Sequence, residues 1–215
     1  MKIGILGSGM VAQQLGFGFL KSGYDVMLGT RNPAKLNDWK TKAGDKAFVG
    51  SFQDAAGFGE IIFVATYWAD DATQNAINMG GMENFKGKIV VDVTNPLQFD
   101  KEGEAPKPAI GYPWSGGALI QSWLADSKVV KAFNTITANY MANPKLKEGV
   151  PDMFFAGNDP EAKKVVMDIA ISWGWNVVDC GDIEQSYLLE ALALLWIRYG
   201  FMNKHWKHAF KLLRE

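Results

Sequence analysis

Cysteine is almost absent from this chain of 215 residues: Cys180 is the only thiol. That excludes an internal disulfide framework and points to a reducing compartment, the cytoplasm by default. An excess of either charge is also missing. Lys and Arg number 22 against 23 Asp and Glu, a formal net charge of −1, so bulk electrostatics draw the protein neither to nucleic acid nor to an anionic membrane. Long apolar runs are lacking too. The nearest, at 188–197, is far shorter than the ~18–20 residues that a bilayer crossing needs, so neither a membrane partner nor a membrane location is expected. Only two histidines occur, His205 and His208. Both fall in an apparent terminal helix at a spacing that is not the i, i+4 of a metal pair, so no metal site is expected.

What is present is alternation. Short apolar runs at 2–6, 25–28, 47–49, 61–65 and 89–93 are separated by helical stretches, and three more strand-like runs follow at 129–133, 153–156 and 176–178. This pattern predicts an α/β fold of the Rossmann type, doubly wound, around a mainly parallel sheet of about eight strands. We expect a nucleotide-binding domain over 1–150 and a small α/β extension over 151–215 that ends in apolar helices. The proline- and glycine-rich span 98–117 reads as a long irregular loop. The segment 183–213 reads as one long or two broken helices, with Gly200 as the interruption. It is so rich in Leu, Trp and Phe that a face left uncovered would form a large apolar patch. Either the helix folds back over the sheet or it pairs with a second subunit, and a homodimer is the expectation.

The first strand runs straight into Gly7-Ser8-Gly9-Met10-Val11-Ala12, a GxGxxA turn that opens a helix. Gly7 permits the tight turn, Gly9 lets backbone approach a pyrophosphate, and Ala12 lets the helix pack closely on the strand, with the phosphates at the helix's positive end. The second strand then ends on Gly29, Thr30 and Arg31 in place of the acid that usually holds a ribose hydroxyl. An acid would repel a 2′-phosphate; a hydroxyl and a guanidinium favour one, which selects NADP(H) over NAD(H). Asn32 would cap a helix opened by Pro33, and Lys35 would then lie near the same phosphate.

The stretches GILGSGMVAQQL, LGTRNPAK, IVVDVTNP, VVKAFNTITA and FAGNDPEAKKVV resemble, in order and over nearly the whole chain, the NADP-dependent reductases of the 5-deazaflavin coenzyme. They are also similar to the cytosolic oxidoreductase domain of the STEAP metalloreductases. The resemblance implies NADP(H) at the glycine turn, with Thr30, Arg31 and Lys35 around the 2′-phosphate. It further implies that Ala65, Thr66 and Trp68, then Asn95 and Pro96, and finally Asn134 and Thr135 border the nicotinamide. All follow strands, where an open parallel sheet places its ligand crevice.

Hydride transfer to a flavin-like ring needs alignment more than acid–base help, and no general base stands out in the sequence. The expected co-substrate is a small-molecule electron acceptor such as a deazaflavin, FMN or FAD, with Tyr112 and Trp114 of the 98–117 loop offering flat faces to it. A soluble ferric or flavin reductase and a non-catalytic NADP(H) sensor are the alternatives. The metalloreductases continue into a haem-holding membrane domain, and no such stretch is found here. Cys180 reads as a small structural residue.

Overall fold

The computed structural model describes residues 1–101 and 103–213. Eight strands form one sheet: β1 (Lys2–Leu6), β2 (Asp25–Gly29), β3 (Ala47–Gly50), β4 (Ile61–Val64), β5 (Ile89–Asp92), β8 (Lys128–Lys131), β9 (Asp152–Gly157) and β10 (Asn176–Asp179). Two further short strands, β6 (Leu97–Gln98) and β7 (Lys107–Pro108), pair with each other antiparallel outside it. Across the main sheet the order is β10-β9-β8-β5-β4-β1-β2-β3. All neighbours are parallel except β8 and β9, so the sheet is mainly parallel and runs unbroken past residue 150.

Strands covered on both faces read as unbroken apolar runs, and β4, IIFV, is buried at every position. The helices are α1 (Met10–Lys21), α2 (Asn37–Ala43), α3 (Phe52–Phe58), α4 (Ala72–Gly80), α5 (Gly116–Trp123), α6 (Pro160–Trp173) and α7 (Ser186–Asn203). On one face Leu15 and Phe19 of α1 meet Ile5, Phe63, Phe133 and Trp173; the ring of Phe19 lies 4.9 Å from that of Phe63 and 4.8 Å from that of Trp173. On the other face Leu6, Ile62 and Val90 pack with Phe85 and Ile120. Local signals agree with these ends. Ser51 and Asp54 form a reciprocal capping box on α3, Asp159 caps α6 ahead of Pro160, and Gly174 ends α6 in the left-handed conformation.

Three expectations need correction. The 98–117 span is not wholly irregular: it carries all of β7 and Gln98 of β6, and Ser115 caps α5, which begins at Gly116. Gly200 does not interrupt the terminal helix. α7 continues through it to Asn203 and stops at Lys204, which is left-handed. The glycine serves close packing instead, since a Cβ there would sit 2.5 Å from Trp206. The chain after α7 returns without helix, so His205 and His208 lie beyond the helix: His208 stacks on Trp196, and the amide of Asp152 donates to the Phe210 carbonyl. Among the described residues no helix is long and apolar enough to cross a membrane.

Candidate functional site

The sheet reverses its winding between β1 and β4, and a cleft of about 330 Å³ opens outside their carboxyl ends. Gly7, Ser8 and Gly9 form its floor, Thr30, Arg31, Asn32 and Lys35 one wall, and Ala65, Thr66 and Tyr67 the other. Gly7 has φ +144°, and a Cβ on it would overlap the Ala65 carbonyl oxygen, whereas a Cβ on Gly9 would meet nothing within 4 Å. Gly7 therefore makes the turn, and Gly9 keeps the space above it open. α1 begins there with no acidic residue in its first turn and no side chain capping it, which leaves its positive end for an anion.

The end of β2 has its own reason to lack an acid. A Cβ on Gly29 would lie 2.7 Å from the Ala55 side chain and 2.9 Å from the Ser51 carbonyl oxygen, because α3 packs directly on the strand. Thr30 is buried, and its hydroxyl accepts the Asn32 amide at 3.2 Å, which fixes the turn that presents Arg31. Arg31 and Lys35 are exposed on the cleft, and neither enters an ion pair among the described residues. Asn32 occupies the cap position of a short 3-10 turn, but its side chain makes no capping bond.

A second cleft of about 200 Å³ lies at the end of the neighbouring strand β5. Asn95, Pro96, Tyr112, Trp114, Tyr187 and Glu190 line it. Tyr112 and Trp114 are exposed, and Tyr112 packs edge-on against Tyr187 at 5.2 Å. Asn95 and Asn134 clasp each other: the Asn95 amide donates to the Asn134 carbonyl at 2.8 Å, and the Asn134 amide donates to Asn95 Oδ1 at 3.0 Å and to the Leu189 carbonyl at 2.9 Å. Among the described residues Asn134 Oδ1 is buried without a partner.

Not every expected residue lines a cleft. Trp68 stacks on Trp123 at 6.0 Å and lines neither cleft, nor do Met10, Val11, Asn134 and Thr135. Met10 stands exposed in the first turn of α1, and Thr135 is buried beside the clasp.

Sequence reasoning missed the charged group beneath the second cleft. Lys131, on β8, is fully buried; its ammonium donates to Asp92 Oδ2 at 2.8 Å, to the Thr94 carbonyl at 2.7 Å and to Glu190 Oε1 at 2.8 Å. Burial by itself would lower the Lys131 pKa, but Asp92 and Glu190 together outweigh it and hold the ammonium above its usual range. The Thr94 amide and hydroxyl donate to Asp92 Oδ1, and the Gly116 and Gly117 amides at the start of α5 donate to Glu190. Each carboxylate receives three donors. The signal was present in VVKAFN, since a lysine inside an apolar central strand must be paired.

Comparison with known proteins agrees with this geometry. Residues 2–96 match the family described as NADP oxidoreductase, coenzyme F420-dependent. An F420-dependent NADP reductase from Methanocaldococcus jannaschii is 32% identical over 220 residues, covering 95% of this chain and 94% of that protein. Metalloreductase STEAP3 from Rattus norvegicus is 29% identical over 194 residues, 90% of this chain, which spans only 36% of the metalloreductase's length. A crystal structure of a candidate F420-dependent NADP reductase from Arthrobacter sp. FB24 superposes with a TM-score of 0.93 at 33% identity, with both chains fully covered.

Proposed function

The chain belongs to the family of F420-dependent NADP reductases, and from that premise we propose that it moves hydride between NADPH in the glycine-turn cleft and a flat, flavin-like ring in the aromatic cleft. The observation that carries the cofactor choice is the pair of unpaired cations, Arg31 and Lys35, at a strand end that holds no acid. NADPH, when bound, supplies the hydride. The chain supplies the rest: the α1 N-terminus and Gly9 receive the pyrophosphate, Arg31, Lys35 and the Thr30 turn receive the 2′-phosphate, and Asn95, held by its clasp with Asn134, borders the nicotinamide.

Tyr112 and Trp114 favour a planar acceptor, so deazaflavin, FMN and FAD are the co-substrate classes this reading carries. Alignment of two rings in adjacent clefts is the catalytic contribution expected of the protein. The single thiol supports a reducing, cytoplasmic setting. Leu188, Leu195, Tyr199 and Met202 form an exposed stripe along α7, which supports a second copy of the chain as partner.

The test is NADPH oxidation with deazaflavin, FMN, FAD, quinone or ferric chelate as acceptor. Turnover fastest with a flavin or deazaflavin supports the reading; preference for the ferric chelate supports the ferric-reductase alternative. Tight NADPH binding with no turnover on any of them would replace the enzyme by a redox sensor.

A further inference from the structure

The buried charges at Asp92, Lys131 and Glu190 sum to −1, and their order matters as much as their sum. Glu190 lines the second cleft, whereas the Lys131 ammonium lies behind it with no exposed surface and all three protons committed. A nicotinamide beside Asn95, which lines the same cleft as Glu190, therefore faces the carboxylate first. The α5 N-terminus beside Glu190 offsets about half a charge, and a negative remainder is left. The cluster also adjoins the amide clasp on both sides: Thr94 precedes Asn95, and Leu189, which accepts from Asn134, precedes Glu190.

We propose that this cluster biases the nucleotide site toward the oxidised nicotinamide, so that the protein is built to take hydride out of NADPH. The inference rests on the proposed function, which puts the nicotinamide at the Asn95–Asn134 clasp. The dihydronicotinamide ring is neutral. When hydride leaves C4 with both bonding electrons, the ring becomes a pyridinium cation and the acceptor gains the hydride. A fixed negative remainder beside the ring stabilises that cation and leaves the neutral ring almost unaffected. NADP+ and NADPH are otherwise alike, so the ratio of their dissociation constants isolates the charge on the ring.

The experiment is titration of the protein's tryptophan fluorescence with NADP+ and with NADPH, on wild type, Glu190→Gln and Asp92→Asn, each variant checked by circular dichroism. In the wild type NADP+ is expected to bind no more weakly than NADPH. Either folded variant is expected to raise the NADP+/NADPH ratio of dissociation constants at least fivefold, because each removes one negative charge. A wild type that binds NADPH much more tightly overturns the proposal, even if neither variant folds. So does a variant in which both nucleotides weaken together with the ratio unchanged, which is what a purely structural clamp of β5, β8, α5 and α7 would give. If the wild type binds neither nucleotide, the proposed function falls with it; if it binds both and only the ratio fails, the proposed function stands.

Discussion

Arg31→Ala tests the cofactor assignment most directly, and the expected loss can be worked from its surroundings. The guanidinium is exposed at the cleft edge and has no carboxylate partner among the described residues, so the substitution removes an attraction without stranding a buried charge. Two unit charges about 4 Å apart gain roughly 4 kcal/mol near a protein surface and roughly 1 kcal/mol in bulk water. A rim site that water reaches falls between these limits, and about 2 kcal/mol corresponds to about a 30-fold loss of affinity. The loss should fall on NADPH alone, because NADH has no 2′-phosphate, and NADH should change less than about twofold. Lys35→Ala should act in the same direction but more weakly, by about 0.2–1 kcal/mol, as for exposed pairs of long side chains. Fluorescence titration with both nucleotides, at low and at moderate salt, reads the effect, and added salt should shrink it. Equal losses for NADPH and NADH, or none for either, would refute the assignment of this turn to the phosphate.

Gly7→Ala forces a Cβ into the Ala65 carbonyl oxygen at φ +144°; thermal denaturation should show about 1–3 kcal/mol of lost stability and nucleotide binding should be abolished. Gly200→Ala should leave the helix content measured by circular dichroism unchanged, yet push Trp206 off α7, seen as a red-shifted tryptophan emission. Burial, with smaller help from nearby Asp179, raises the Cys180 thiol pKa, so alkylation at neutral pH should be slower than for an exposed model thiol and should quicken on unfolding. Asp159 is held below the ordinary carboxylate range, first by the Ala162 amide and then by Lys128. A depressed folded-state pKa stabilises above the unfolded value of about 3.9 and is lost as pH falls through the folded one. The melting temperature of wild type should therefore fall more steeply below about pH 4 than that of Asp159→Asn.

How much of this was legible in the sequence follows from what each signal depends on. All eight strands of the main sheet were visible because each carries a short apolar run, a property of the strand alone, whether it is buried throughout like β4 or only in part like the edge strands β3 and β10. The glycine turn was visible for the same local reason. Gly200 was misread because a glycine in a helix has two causes, a break or a close neighbour, and the neighbour here, Trp206, arrives only when the chain folds back. The β6–β7 ladder was hidden because each strand has two residues, too few for any period to show.

The Asp92–Lys131–Glu190 group shows the same limit at the site itself. Each residue carried a local oddity: an aspartate closing a buried strand, a lysine closing another, a glutamate on an apolar helix. None of these alone says more than that a partner is needed. Their chain separations, 39 residues between Asp92 and Lys131 and 59 between Lys131 and Glu190, are bridged only by the sheet order that sets β5 beside β8 and by α7 returning against α5 and β9. The strand end at Gly29 is the converse case. Its missing acid reads in the sequence as a preference for a phosphate. The packing of α3 adds an independent cause, because with Ala55 and Ser51 against that position no side chain of any kind fits there. In the proposed function, selection for the 2′-phosphate is therefore left to Arg31 and Lys35, cations exposed on that wall and clear of the core.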